Sequence, residues 1–239
     1  MTTHVAEAPQ VSGAATDASP WQRLLALSGV AFTPLFVVGW LTSAVSNAPN
    51  YIEADQKWIK WAHEDHVKSR VSSFVLVLAV FVFLYFLGTL RSALEEGESL
   101  VRGSKELARV AFAGGLTGIV GVTMAFVSFA NAAAPGAKAD PVVSKAVSTS
   151  AAGPFLVGAA GFSAFLLATG VWTLRTGALA RWTGVVALIG AACFFVTLLT
   201  VLNNSGNGSA LGYAFFPAML SFVVWTVATS LARYRAVKA

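Results

Sequence analysis

VAFAGGLTGIVGVTMAFVSFA, residues 110–130, carries no charged or histidine side chain over its whole length. A helix in a soluble core rarely keeps more than a dozen unbroken apolar positions, whereas a bilayer crossing needs about 20. The segment lacks the period-two alternation of a barrel strand. A helix, which pairs its own backbone groups, is then the form that can cross hydrocarbon. Five further blocks of this kind flank it, and the spans are placed near 24–45, 71–90, 110–130, 154–174, 183–202 and 211–232. The expected fold is an all-α membrane protein, a six-transmembrane-helix bundle over residues 21–239.

Composition agrees. Hydrophobic residues make up 56% of the 239 and charged residues 11%, against roughly a quarter charged in a soluble domain. That balance excludes a water-soluble globule. The net charge of +5 comes from basic residues scattered over helix ends and loops, without a run or a nucleic-acid-binding motif, so no nucleic acid partner is implied. Cys193 is the one cysteine and falls inside a span, where it reads as a small apolar packing residue.

Residues 1–20 are small, polar and slightly acidic and read as a disordered cytoplasmic tail. Arg23 precedes the first span and Ala44-Val45-Ser46 follows it, in the manner of a signal segment. Its apolar stretch exceeds the usual run of about 7–15 residues, so an uncleaved anchor is expected. Pro34 should kink the first span, while Pro217, near the start of the sixth, pre-shapes its first turn. Trp21, Trp40, Trp172 and Trp182 fall near span ends, where amphipathic rings sit at headgroup level.

Lysine and arginine set the orientation. With the amino terminus in the cytoplasm, Arg23, Arg91, Arg102, Lys105, Arg109, Arg175, Arg181, Arg233, Arg235 and Lys238 lie inside, and Lys57, Lys60, Lys68, Arg70, Lys138 and Lys145 outside. Both termini are therefore expected in the cytoplasm, in the cytoplasmic (inner) membrane. In the first outer connection, residues 46–70, Tyr51, Trp58, Trp61 and Asp65 share one side of a helix and Ile52, Ile59 and His66 another. This predicts an interfacial helix on the outer leaflet. Residues 131–153, rich in Ala, Pro and Ser, read as a loose loop with at most one helical turn, and NNSGNGS, residues 203–209, as an uncharged turn whose two glycosylation-type triplets carry no assignment.

None of the six apolar cores contains Asp, Glu, His, Lys or Arg. A buried intramembrane charge is costly and marks ion paths and proton relays, so ion-driven transport loses support. Arg91, at the end of span two, can snorkel to the interface. His4, His63 and His66 all lie outside the spans, which excludes a bis-histidine haem within the membrane. The one cluster with possible chemistry is His63-Glu64-Asp65-His66. Two imidazoles three apart can share a helix face and, with Glu64 or Asp65, bind a metal; the spacing is not the His-Glu-x-x-His of zinc peptidases. A solvated loop cluster is the competing reading, and no catalytic residue or cofactor is assigned. Small residues form packing stripes: Gly114, Gly118 and Gly121 in span three, Ala160, Ala164 and Ala168 in span four, Thr183, Ala187 and Ala191 in span five. Ser221, Thr226 and Thr229 are possible interhelical donors in span six. Intramolecular packing and homo-oligomerisation are both open.

The chain resembles a widespread group of small six-helix bacterial membrane proteins, common in actinobacteria and of unknown function. The likeness rests on LSGVAF at residues 27–32, AHEDHVKSR at 62–70, FLGTLRSALEEGE at 86–98 and ATGVWTLRTGALARWTGVVALIG at 168–190. Ala180 stands where the group often has Pro before the Arg-Trp pair. The resemblance implies fold and location and brings no activity with it. Three functions are carried forward: a non-enzymatic protein acting through contacts with lipid or a membrane protein partner, a carrier or exporter of an apolar or lipid-like solute, and an outer-face metal or pH-sensing site or enzyme at His63 and His66.

Overall fold

A computed structural model describes residues 20–43, 48–49, 53–100, 106–138, 140–202 and 212–238. These form eight α-helices: α1 (Pro20–Ala26), α2 (Ser28–Leu41), α3 (Asp55–Leu100), α4 (Glu106–Ala133), α5 (Pro141–Ser150), α6 (Ala152–Thr176), α7 (Arg181–Leu198) and α8 (Phe215–Lys238). Short 3-10 turns occupy Gly136–Lys138, Leu199–Leu202 and Gly212–Ala214, and the described residues contain no strand. Six helices or helix pairs are long and apolar enough to cross a membrane: α1 with α2, α3, α4, α5 with α6, α7 and α8. The chain has the architecture of a multi-pass membrane protein. The tail before Pro20, the 203–209 turn and Tyr51 and Ile52 lie outside the described residues.

The core is aromatic. Phe222 of α8 stands 4.5 Å, centroid to centroid, from Phe162 of α6, 5.7 Å from Phe83 of α3 and 5.8 Å from Phe32 of α2. Phe194 of α7 joins through Phe162 at 5.5 Å. Trp225 meets Phe165 edge-on at 5.2 Å. Tilted and edge-to-face pairs of this kind add about 0.5–1.5 kcal/mol each beyond the area they bury. One ring system thus ties five spans together at the middle of the bundle.

The remaining contact is made by glycine. A Cβ placed on Gly121 of α4 would lie 2.5 Å from the nitrogen of Gly158 in α6, and one on Gly114 would lie 2.8 Å from the Gly161 carbonyl oxygen. The two backbones touch, which small residues permit and lipid-facing helices require for dispersion contact. The span-three stripe therefore packs within the chain. On α6, however, the contact residues are Gly158 and Gly161; Ala160 is exposed and Ala164 half-buried.

Three expectations need correction. The helix foreseen in the first connection begins at Asp55, but it does not lie apart on a leaflet: it runs unbroken into the second span, with no Gly or Pro until Gly88. Its 46 residues extend about 69 Å at about 1.5 Å per residue. Such a helix outruns a bilayer of about 40–45 Å including headgroups. Second, residues 131–153 are not a loose loop, because α5 occupies their second half. Asp140 caps it, accepting from Val142 N at 2.8 Å and Val143 N at 3.2 Å, with Pro141 in the first turn. Third, the first span is not a single helix: it is interrupted at Leu27, between α1 and α2, and α2 continues through Pro34. Pro217 is the third residue of α8, as an initiating proline should be.

Candidate functional site

The His63-Glu64-Asp65-His66 cluster sits on the first turns of α3, at the end of the bundle that also holds the α4–α5 connection and α5. A small second core builds this end. Trp58 and Trp61, edge-to-face at 5.7 Å, are buried with Ala62 against Ala132 and Ala133 of α4. The rings are thus interior groups and not headgroup anchors. Trp172 is also buried: its Nε1–H donates to the Leu94 carbonyl at 3.1 Å, whereas Trp21 and Trp182 are exposed.

Polar contacts lock the second core. Lys145 of α5 donates to Asp55 Oδ1 at 2.6 Å, Arg70 Nη2 donates to the Ala134 carbonyl at 2.6 Å, and Ser144 Oγ to the Ala132 carbonyl at 2.9 Å. The α3 start, the end of α4 and α5 are therefore one unit projecting from the spans.

Within it the four sequence-predicted residues separate. His63 and Glu64 are exposed, Asp65 is buried and His66 half-buried. Asp65 accepts from Lys68 at 3.1 Å, and Glu64 lies 3.9 Å from Lys60. The His66 Nδ1 stands 2.8 Å from the His63 carbonyl oxygen, which can only accept, so Nδ1 is the donor. The His66 ring meets the turn at Gly136, where a Cβ would lie 3.6 Å from it; glycine is required there by its φ of +56° and not by space. His63 instead lies on an exposed face of α3 with Gln56, Ile59 and Lys60. Among the described residues no three His, Cys, Asp or Glu side chains gather to hold a metal ion.

The structure thus offers two imidazoles in different surroundings. A metal at either would need ligands from outside the chain's described residues. Sequence reading missed the Asp55–Lys145 bridge, the Asp140 cap and Glu98, whose carboxylate accepts from Leu107 N at 3.1 Å and Ala108 N at 3.4 Å to cap α4. The Asp140-Pro141 pair was a legible signal for the cap; the other two join residues that sequence alone does not bring together.

Comparison with protein-family models, with curated proteins and with solved structures finds no match.

Proposed function

We propose that this chain is a non-enzymatic protein of a bacterial cytoplasmic membrane, with both termini in the cytoplasm, acting through contacts with a membrane protein partner or with lipid. One observation carries the reading: the middle of the bundle is filled by stacked rings from five spans, with Phe32, Phe83, Phe162, Phe165, Phe194 and Phe222 all fully buried. Such an interior is built for rigidity, and it leaves the surface as the working part. The test is affinity purification of the tagged protein from its native membrane in mild detergent, with identification of every co-purifying protein, lipid and metal. A stoichiometric protein or a specific lipid is expected. Strictly monomeric protein, carrying neither, would overturn the reading.

A carrier of an apolar or lipid-like solute is the second reading, favoured by the hydroxyls of Thr226 and Thr229, buried on α8 without hydrogen-bond partners. A path along α8 would use them. Cysteines placed at these two positions in a Cys193→Ser background should react with a small water-soluble thiol reagent if that path opens, and stay inert if it does not.

A further inference from the structure

At the end of the bundle away from α5, every span carries at least one arginine: Arg23 in α1, Arg91 in α3, Arg109 in α4, Arg175 in α6, Arg181 in α7, and Arg233 with Arg235 in α8. Contacts place them at a common level. Arg91 stands over the Phe112 ring of α4 at 5.2 Å, and the Glu98 carboxylate reaches the backbone at Ala108, next to Arg109. Trp172 of α6 bonds to Leu94 of α3. Four residues separate α6 from α7, which puts Arg175 and Arg181 on either side of one turn. Ser230 Oγ donates to the Ala26 carbonyl, bringing Arg233 and Arg23 to the same end.

The two ends handle charge differently. At the α5 end, Lys57, Lys60, Lys68 and Lys145 are each paired with a carboxylate, on Glu53, Glu64, Asp65 and Asp55. Arg70 is held by the Ala134 carbonyl, which leaves Lys138 exposed. At the arginine end, Glu95 takes Arg91 at 2.8 Å and Glu98 is spent on the α4 cap. Arg23, Arg109, Arg175, Arg181 and Arg235 are exposed and form no ion pair with a described residue, although Glu106 lies exposed at the α4 start. Uncommitted guanidiniums spaced around the bundle at the rim of its apolar belt suit planar, bidentate recognition of phosphate.

We infer that this arginine belt is a binding surface for the headgroups of anionic phospholipids, one leaflet supplying phosphates around the whole bundle. Each basic group close to an anionic leaflet contributes about 1 kcal/mol, close to a fivefold change in affinity. The inference deepens the lipid half of the proposed function, on which it rests, and leaves the protein-partner half to stand or fall separately. Lipid preference and recovery of a protein partner are separate readouts, so one can fail without the other.

The test uses the full chain in nanodiscs with equal phosphatidylcholine and phosphatidylglycerol, followed by mass analysis of the lipid retained on extraction into mild detergent. Phosphatidylglycerol should be enriched several-fold over the bulk ratio at low salt, and the enrichment should fall as sodium chloride is raised. Arg23→Gln, Arg109→Gln, Arg175→Gln and Arg181→Gln together should cut it at least tenfold. The pairs R23Q/R109Q and R175Q/R181Q should each cut it in part, which keeps the test valid if the fourfold variant does not insert. Lys57→Gln with Lys60→Gln and Lys68→Gln should leave it intact. Equal enrichment in wild type and both paired variants, or none in wild type, would overturn the inference.

Discussion

Gly121 of α4 and Gly158 of α6 meet backbone to backbone: a Cβ on Gly121 would fall 2.5 Å from the Gly158 nitrogen, and one on Gly158 would fall 2.6 Å from the nitrogen of Val122. Neither neighbour is a side chain that could swing away. The approach of these two helices therefore depends on the absence of two methyl groups.

Gly158→Ala should lower stability by about 1–3 kcal/mol, the cost of overpacking a close contact. Gly153→Ala, whose added methyl meets nothing within 4 Å, should be neutral or slightly stabilising. Thermal unfolding of both variants in one detergent separates them, and equal midpoints would show that the α4–α6 contact is not tight.

Phe222 touches rings from three other spans, so Phe222→Ala should open a cavity and cost about 3–5 kcal/mol. Phe195, exposed on the outside of α7, should tolerate alanine at under about 1 kcal/mol. Chemical denaturation in mixed micelles reads the difference.

Thr229 and Ser230 are neighbours with opposite fates. The Thr229 hydroxyl is buried without a partner, whereas Ser230 Oγ donates to the Ala26 carbonyl. An unpaired buried hydroxyl costs about 1–3 kcal/mol, so Thr229→Val should raise the unfolding midpoint. Ser230→Ala should lower it, because the α1 carbonyl loses its donor. A Thr229→Val variant that loses stability would contradict an unpaired hydroxyl at this position.

Removing the α5 cap with Asp140→Ala should cost about 0.5–2 kcal/mol. The loss should be local: faster amide hydrogen exchange over α5 and the first turns of α3, with α4 and α6 unchanged at mid-bundle. Uniform acceleration across all helices would argue against a separate projecting unit.

The six spans were legible because an unbroken apolar run of about 20 residues matches the thickness of a bilayer and exceeds what a soluble core helix needs. What lay beyond them was not. Residues 55–70 and 91–100 of α3 are polar, so hydropathy stops where the helix continues; only the lack of Gly and Pro until Gly88 hinted at it. Which face of α6 packs on α4 was not legible, because a membrane helix is apolar all round and periodicity no longer points inward. Ala160 and Ala164 then look as good as Gly158 and Gly161. That His63-Glu64-Asp65-His66 lie on a helix was legible, but not their surroundings. The turn at Gly136 that meets the His66 ring comes from far along the chain, and the Lys145–Asp55 bridge spans 90 residues.

Two-sidedness is tested most directly by single cysteines in a Cys193→Ser background, labelled from either face of sealed vesicles with a membrane-impermeant thiol reagent. Cysteines at Gln22, Ala178 and Arg235 should label from one face, and those at Lys57 and Thr149 from the other. Labelling of Ala178→Cys and Lys57→Cys from the same face would contradict the six-crossing bundle.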